Sequence, residues 1–143
     1  MIRNMSGWVS HLKASPLLWL LEEDNPSVRF FTLTSVLERA ENDTEVKKAR
    51  TAIMNTGLVP HILGKQKPQG YWGVAEDFYV RSKYRGTVWT VIILAELGAD
   101  GTDPRIKRAC EFILRHSQDR ESGAFSHLGS KKGGGLHDMV LPC

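Results

Sequence analysis

His61-Ile-Leu-Gly-Lys-Gln66-Lys-Pro-Gln-Gly70-Tyr-Trp72-Gly73 links an apolar pair, a glutamine, a proline turn, a glycine and a tryptophan. Each residue type has a physical reason to stand at the end of a helix. The last carbonyls of a helix lack intrahelical donors, and a glutamine amide can supply one. Glycine takes the positive φ that a sharp exit from a helix needs. A tryptophan just beyond can cover the amide and the helix end with a large apolar surface. The stretch therefore predicts a fastening between one helical hairpin and the next.

A second copy lies downstream. Phe112-Ile-Leu-Arg-His-Ser-Gln118-Asp-Arg-Glu-Ser-Gly123-Ala-Phe125 repeats the apolar pair, the glutamine, the polar turn and the glycine-x-aromatic ending. Gln66 to Gln118 is 52 residues and Gly70 to Gly123 is 53. A near-constant stride of that size marks a helical-hairpin array.

The flanking sequence reads as helix throughout. Ser15-Pro16 and Asn25-Pro26 each place a capping residue before a first-turn proline. After Asn25, Phe30, Leu33, Val36, Leu37 and Ala40 keep three- and four-residue spacing and leave Arg29, Glu38 and Arg39 for the solvent side. Asp43 or Thr44 caps a third helix, with Val46, Ala49 and Ile53 on one face and Gly57 as its stop. Pro60 opens a short helical piece. Tyr84 to Leu97 is apolar almost all round, so it must be covered on most sides. Asp103-Pro104 opens a helix whose apolar stripe is Ile106, Ala109, Cys110, Ile113 and Leu114, with Cys110 in the core. Ser117 to Gly135 is loop, and Leu136, Met139, Val140 and Cys143 begin another amphipathic helix. No segment alternates like a strand, so the fold class is all-α, built of helical-hairpin repeats.

Composition narrows the function. Nineteen Lys and Arg against sixteen Asp and Glu leave a net charge of +3 over 143 residues, too little to argue for a nucleic-acid partner. Two cysteines exclude a disulfide scaffold and suit a reducing cytoplasm. Val88 to Ala95 is far short of the ~20 apolar residues of a membrane span. The expected localisation is cytoplasmic.

Gln66-Lys-Pro-Gln-Gly70-Tyr-Trp72 resembles the QW motif of terpene (squalene) cyclases and protein prenyltransferase β subunits. Tyr84-Arg-Gly-Thr87 through Leu94-Ala-Glu-Leu-Gly98 resembles that family's inner helix. Gln69 stands where the family usually has an acid, and Gln118 to Phe125 is a degenerate copy with Phe125 for the tryptophan. The resemblance spans about Leu58 to Cys143 and implies an α/α toroid of concentric helices. It implies two QW-like hairpins over residues 58–143, while Asp24-Asn-Pro-Ser-Val28-Arg-Phe-Phe-Thr-Leu33 resembles the opening helix of a HEAT-type repeat and implies a HEAT-like N-terminal cap over residues 1–57. Two hairpins cannot close a toroid, so the expectation is the N-terminal part of a longer protein or a truncated reading frame.

By that resemblance, an apolar isoprenoid-like molecule would meet inner-helix residues Tyr84 and Trp89, with Arg85 and its basic neighbours offered to a diphosphate. The cyclase acid box Asp-x-Asp-Asp and the synthase box Asp-Asp-x-x-Asp are both absent from the sequence. No catalytic residue is assigned. Prenyltransferases bind zinc, and His137, Asp138 and Cys143 lie in the comparable place. The Asp-to-Cys spacing is longer than the family's, and the plainer reading makes His137-Asp138 a helix cap and Cys143 a core residue. A function from a different class is a non-catalytic scaffold. It would bind a protein partner, or a second copy of itself, through the open edge of the repeat stack.

Overall fold

The structure, a computed structural model, describes residues 13–75, 84–118 and 123. The chain is all-α: helices α1 (Leu17–Leu20), α2 (Pro26–Phe31), α3 (Thr44–Asn55), α4 (Leu58–Leu63), α5 (Thr87–Glu96) and α6 (Pro104–Ser117) follow in order. There is no β-strand among the described residues. No helix among them is long and apolar enough to cross a membrane.

Two compact units divide the chain. The first runs through His61 and takes back Leu97–Ala99; the second takes Ile62–Glu96 and everything from Asp100 onward. In the first unit, α2 packs on α3 and passes directly into a π-helical turn, Thr32–Val36. Leu33, Val46 and Ala49 form the core there, flanked by Leu21, Phe30 and Leu37. Gly98 returns to this unit at φ +74, and a Cβ there would sit 3.3 Å from both Ile53 and Phe31. In the second unit Val88 and Phe112 are buried against Tyr71, Ala75 and Ile113.

Three local readings are corrected. The helix opened by Pro26 does not carry its apolar face to Ala40. The hydroxyls of Thr32 and Thr34 bond back to the carbonyls of Val28 and Phe30. The coil widens to a π turn, and Glu38 then takes a positive φ of 50°. Such back-bonding competes with regular helix geometry. Arg29 does not face solvent either. Its side chain is 15% exposed, donating to the Leu21 carbonyl and pairing with the Glu45 carboxylate. It ties the segment before α2 to α3.

Cys110, expected in the core, is exposed and free. The packed face of α6 centres on Ala109, with Ile106 and Phe112 beside it. At about 100° per residue, Cys110 lies roughly 100° round the helix from that centre. Leu114 lies further round and is exposed too. Phe112, not Cys110, completes the stripe, and the His116 ring stacks on it at 4.1 Å.

These packings set an energetic contrast. Ile53 is fully buried, whereas Ile92 on α5 is 42% exposed. Ile53→Ala is expected to lower unfolding free energy by about 2–5 kcal/mol and Ile92→Ala by well under half of that, measured by urea titration.

Candidate functional site

The turn after α4 is built around one glycine. The Gly70 amide donates to the Lys67 carbonyl at 2.9 Å and the Lys67 amide to the Tyr71 carbonyl at 2.8 Å, with Pro68 and Gln69 between. Gly70 has φ +100, and a Cβ there would fall 2.6 Å from the Arg108 carbonyl oxygen. Only a residue without a side chain lets this turn lie directly on the α6 backbone.

That close approach brings Gln66 within reach of α6. Its side-chain amide donates to the Arg105 carbonyl at 2.8 Å and to the Gly70 carbonyl at 3.3 Å. The amide therefore serves the first turn of the neighbouring helix, not the end of its own. The end of α4 is met by Trp72, whose indole Nε1 donates to the Ile62 carbonyl at 2.8 Å. Trp72 is buried, and its backbone amide donates to the Thr87 hydroxyl at 3.1 Å. One turn thus binds α4, the start of α5 and the start of α6.

The receiving end of α6 is fixed by Asp103. Its carboxylate accepts from the Arg105 backbone amide at 2.8 Å and pairs with the Arg105 guanidinium at 2.8 Å. The hydrogen bond from the Arg105 side chain, with lesser help from the backbone amides, holds the carboxyl below its ordinary value, although burial opposes this. The capping aspartate leaves the carbonyl of Arg105 at the place where the Gln66 amide arrives.

The second copy keeps the local bond. The Gln118 side-chain amide donates to the Gly123 carbonyl at 3.4 Å, and Gly123 has φ +73. Phe125 lies outside the described residues.

Of the residues expected to meet a ligand, Tyr84 and Trp89 are brought together, with ring centroids 5.2 Å apart. Tyr84 holds φ +64 and is 63% exposed. A bulky residue in that region is strained, and such strain often sits at functional positions. The carbonyl of Arg85 lies 3.3 Å from where a Cβ on Gly73 would be, so Arg85 borders the same turn. His137, Asp138 and Cys143 lie outside the described residues. Among the described residues no group of three His, Cys, Asp or Glu could hold a metal ion.

One feature escaped the sequence. A cavity of about 550 Å³ in the first unit is lined by Phe30, Glu41, Val46, Lys47, Arg50 and Thr51. The Arg50 guanidinium lies 5.1 Å from the Phe30 ring centre. The available signal was Lys47, Arg50 and Thr51 at three- and four-residue spacing on one face of α3.

Comparison of the chain with protein-family models, with curated protein sequences and with solved structures finds no match.

Two outcomes follow from the geometry. Gly70→Ala is expected to destabilise the fold by about 1–3 kcal/mol, because the new methyl meets backbone and the positive φ disfavours it. Differential scanning calorimetry reads this as a lowered Tm. The Asp103 carboxyl is depressed on folding, so its contribution is present above the unfolded value near 3.8 and is lost as pH falls through the lower folded value. Wild-type Tm should therefore fall below about pH 4, while Asp103→Asn should be less stable at pH 7 and flatter in acid.

Proposed function

We propose that the chain is a helical-hairpin repeat segment of the terpene-cyclase and prenyltransferase type, in which α5 faces an apolar, isoprenoid-like molecule. The observation that carries this reading is the turn in which Gln66 reaches the next hairpin while Trp72 closes the previous helix. A fastening between stacked hairpins is what the QW resemblance implies, and a turn that bonds to both α4 and α6 supports it. The ligand face follows from α5 itself. This helix is apolar nearly all round, yet Ile92 is exposed, and Tyr84 offers an aromatic face beside Trp89. Apolar walls headed by aromatic rings suit a long hydrocarbon. Arg85 supplies a cation for a diphosphate head. Neither acid box stands in the sequence, so no reaction is assigned to these residues.

A non-catalytic interaction scaffold is the second reading. Leu18 and Trp19 of α1 favour it, being 86% and 66% exposed. Exposed apolar pairs of this kind often mark a contact surface.

Titration with a long-chain isoprenoid diphosphate, and separately with squalene, tests the first reading through tryptophan fluorescence and native mass spectrometry. Saturable binding is expected, about tenfold weaker for Tyr84→Ala and for Trp89→Ala. Tyr84→Gly should bind more weakly yet melt at a higher temperature, because it removes the strained φ. Absence of saturation with every probe, or binding indifferent to both alanine variants, refutes the isoprenoid reading.

A further inference from the structure

The cavity of about 550 Å³ in the first unit takes no part in the isoprenoid reading, which rests on α5. Its volume lies within the roughly 300–1,000 Å³ usual for small-ligand pockets. Its walls are of two kinds. Phe30 of α2 and Val46 of α3 are apolar, Val46 being core and Phe30 packed against it. Lys47, Arg50 and Thr51 come from exposed positions of α3, and Glu41 from the segment before it. Two cations against one carboxylate leave the lining positive.

Those two cations differ from their neighbours. Residues 26–55 carry five basic side chains, Arg29, Arg39, Lys47, Lys48 and Arg50. Arg29 pairs with Glu45, Arg39 with Asp43 and Lys48 with Glu23. Among the described residues Lys47 and Arg50 have no carboxylate partner, and they are the two that line the cavity. They stand three residues apart on α3, so both heads serve one side of the helix. The Arg50 guanidinium is also held in place, 5.1 Å from the centre of the Phe30 ring. A guanidinium so placed keeps its in-plane fork of N–H donors, which fits a phosphate.

We propose that this cavity binds a small phosphate monoester with a ring in its organic part, such as a nucleoside monophosphate. The phosphate carries about two negative charges at pH 7 and meets Lys47 and Arg50. The base lies against the apolar wall of Phe30 and Val46. The Glu41 carboxylate and the Thr51 hydroxyl take the sugar hydroxyls. A plain hydrocarbon would displace water from both cations and return no anion, at a net cost. A bare phosphate would leave the Phe30 wall unused.

Titration of the full chain with adenosine and uridine monophosphates, followed by backbone amide chemical shifts, is the test. Saturable binding is expected below about 10 mM, with the largest shifts at Phe30, Val46, Lys47, Arg50 and Thr51. Adenosine, the same sugar phosphate without its base, and inorganic phosphate should each bind about tenfold more weakly. Lys47→Gln and Arg50→Gln should each weaken binding about tenfold, with Arg50→Lys in between. Lys48→Gln removes a neighbouring cation outside the cavity and should leave affinity within about twofold. Circular dichroism and Tm of these surface variants should match wild type, which separates lost binding from lost folding. Absence of saturation by both monophosphates overturns the proposal. So does inorganic phosphate or adenosine binding as tightly as the nucleotide. A loss with Lys48→Gln as large as with Arg50→Gln, or shifts centred away from the cavity, overturns it as well.

Discussion

The second unit depends on a contact without a side chain on one side of it: Gly70 resting on the carbonyl of Arg108. Everything nearby follows from that distance. With the backbones together, the Gln66 amide spans from its own turn to Arg105, and Trp72 fills the corner between α4 and α5. A methyl group at residue 70 would hold the strands of this turn apart and leave a buried indole and a half-buried amide seeking new partners. Polar groups stranded in that way cost far more than the hydrogen bonds themselves contribute.

Much of the helical architecture is written in local chemistry. Asp43, Asn25-Pro26 and Asp103-Pro104 announce helix starts because a capping aspartate and a first-turn proline are local devices, independent of tertiary context; at Asn25 the proline serves alone, since the asparagine side chain makes no cap bond. The fastening was legible for a similar reason: glutamine, glycine and tryptophan carry distinctive chemistry at fixed spacing. Its direction was not legible. The sequence suggested that Gln66 serves its own helix end, whereas the partner is Arg105, 39 residues away. Long-range pairing leaves no trace in a local pattern.

The errors have the same origin. Cys110 and Phe112 are both compatible with the spacing of Ile106 and Ala109, and only the direction from which α5 packs decides between them. Arg29 looked solvent-facing because arginine usually is. It is drawn inward by Glu45, sixteen residues on, and by a carbonyl at the end of α1. The π turn at Thr32–Val36 needed two threonine hydroxyls acting together. The cavity beside Phe30 and Arg50 depends on the separation of loop and helix, which periodicity does not encode.

Leu97–Ala99, the link between α5 and α6, belongs with the N-terminal unit although both helices belong with the other. The polypeptide therefore crosses the boundary three times. No single scission yields two intact pieces: each attempt at expressing the halves separately leaves one of them missing the tripeptide that Ile53 and Phe31 enclose, or carrying it as an orphan. A cut between residues 61 and 62 would part Gly98 from the Phe31 and Ile53 side chains that lie against it.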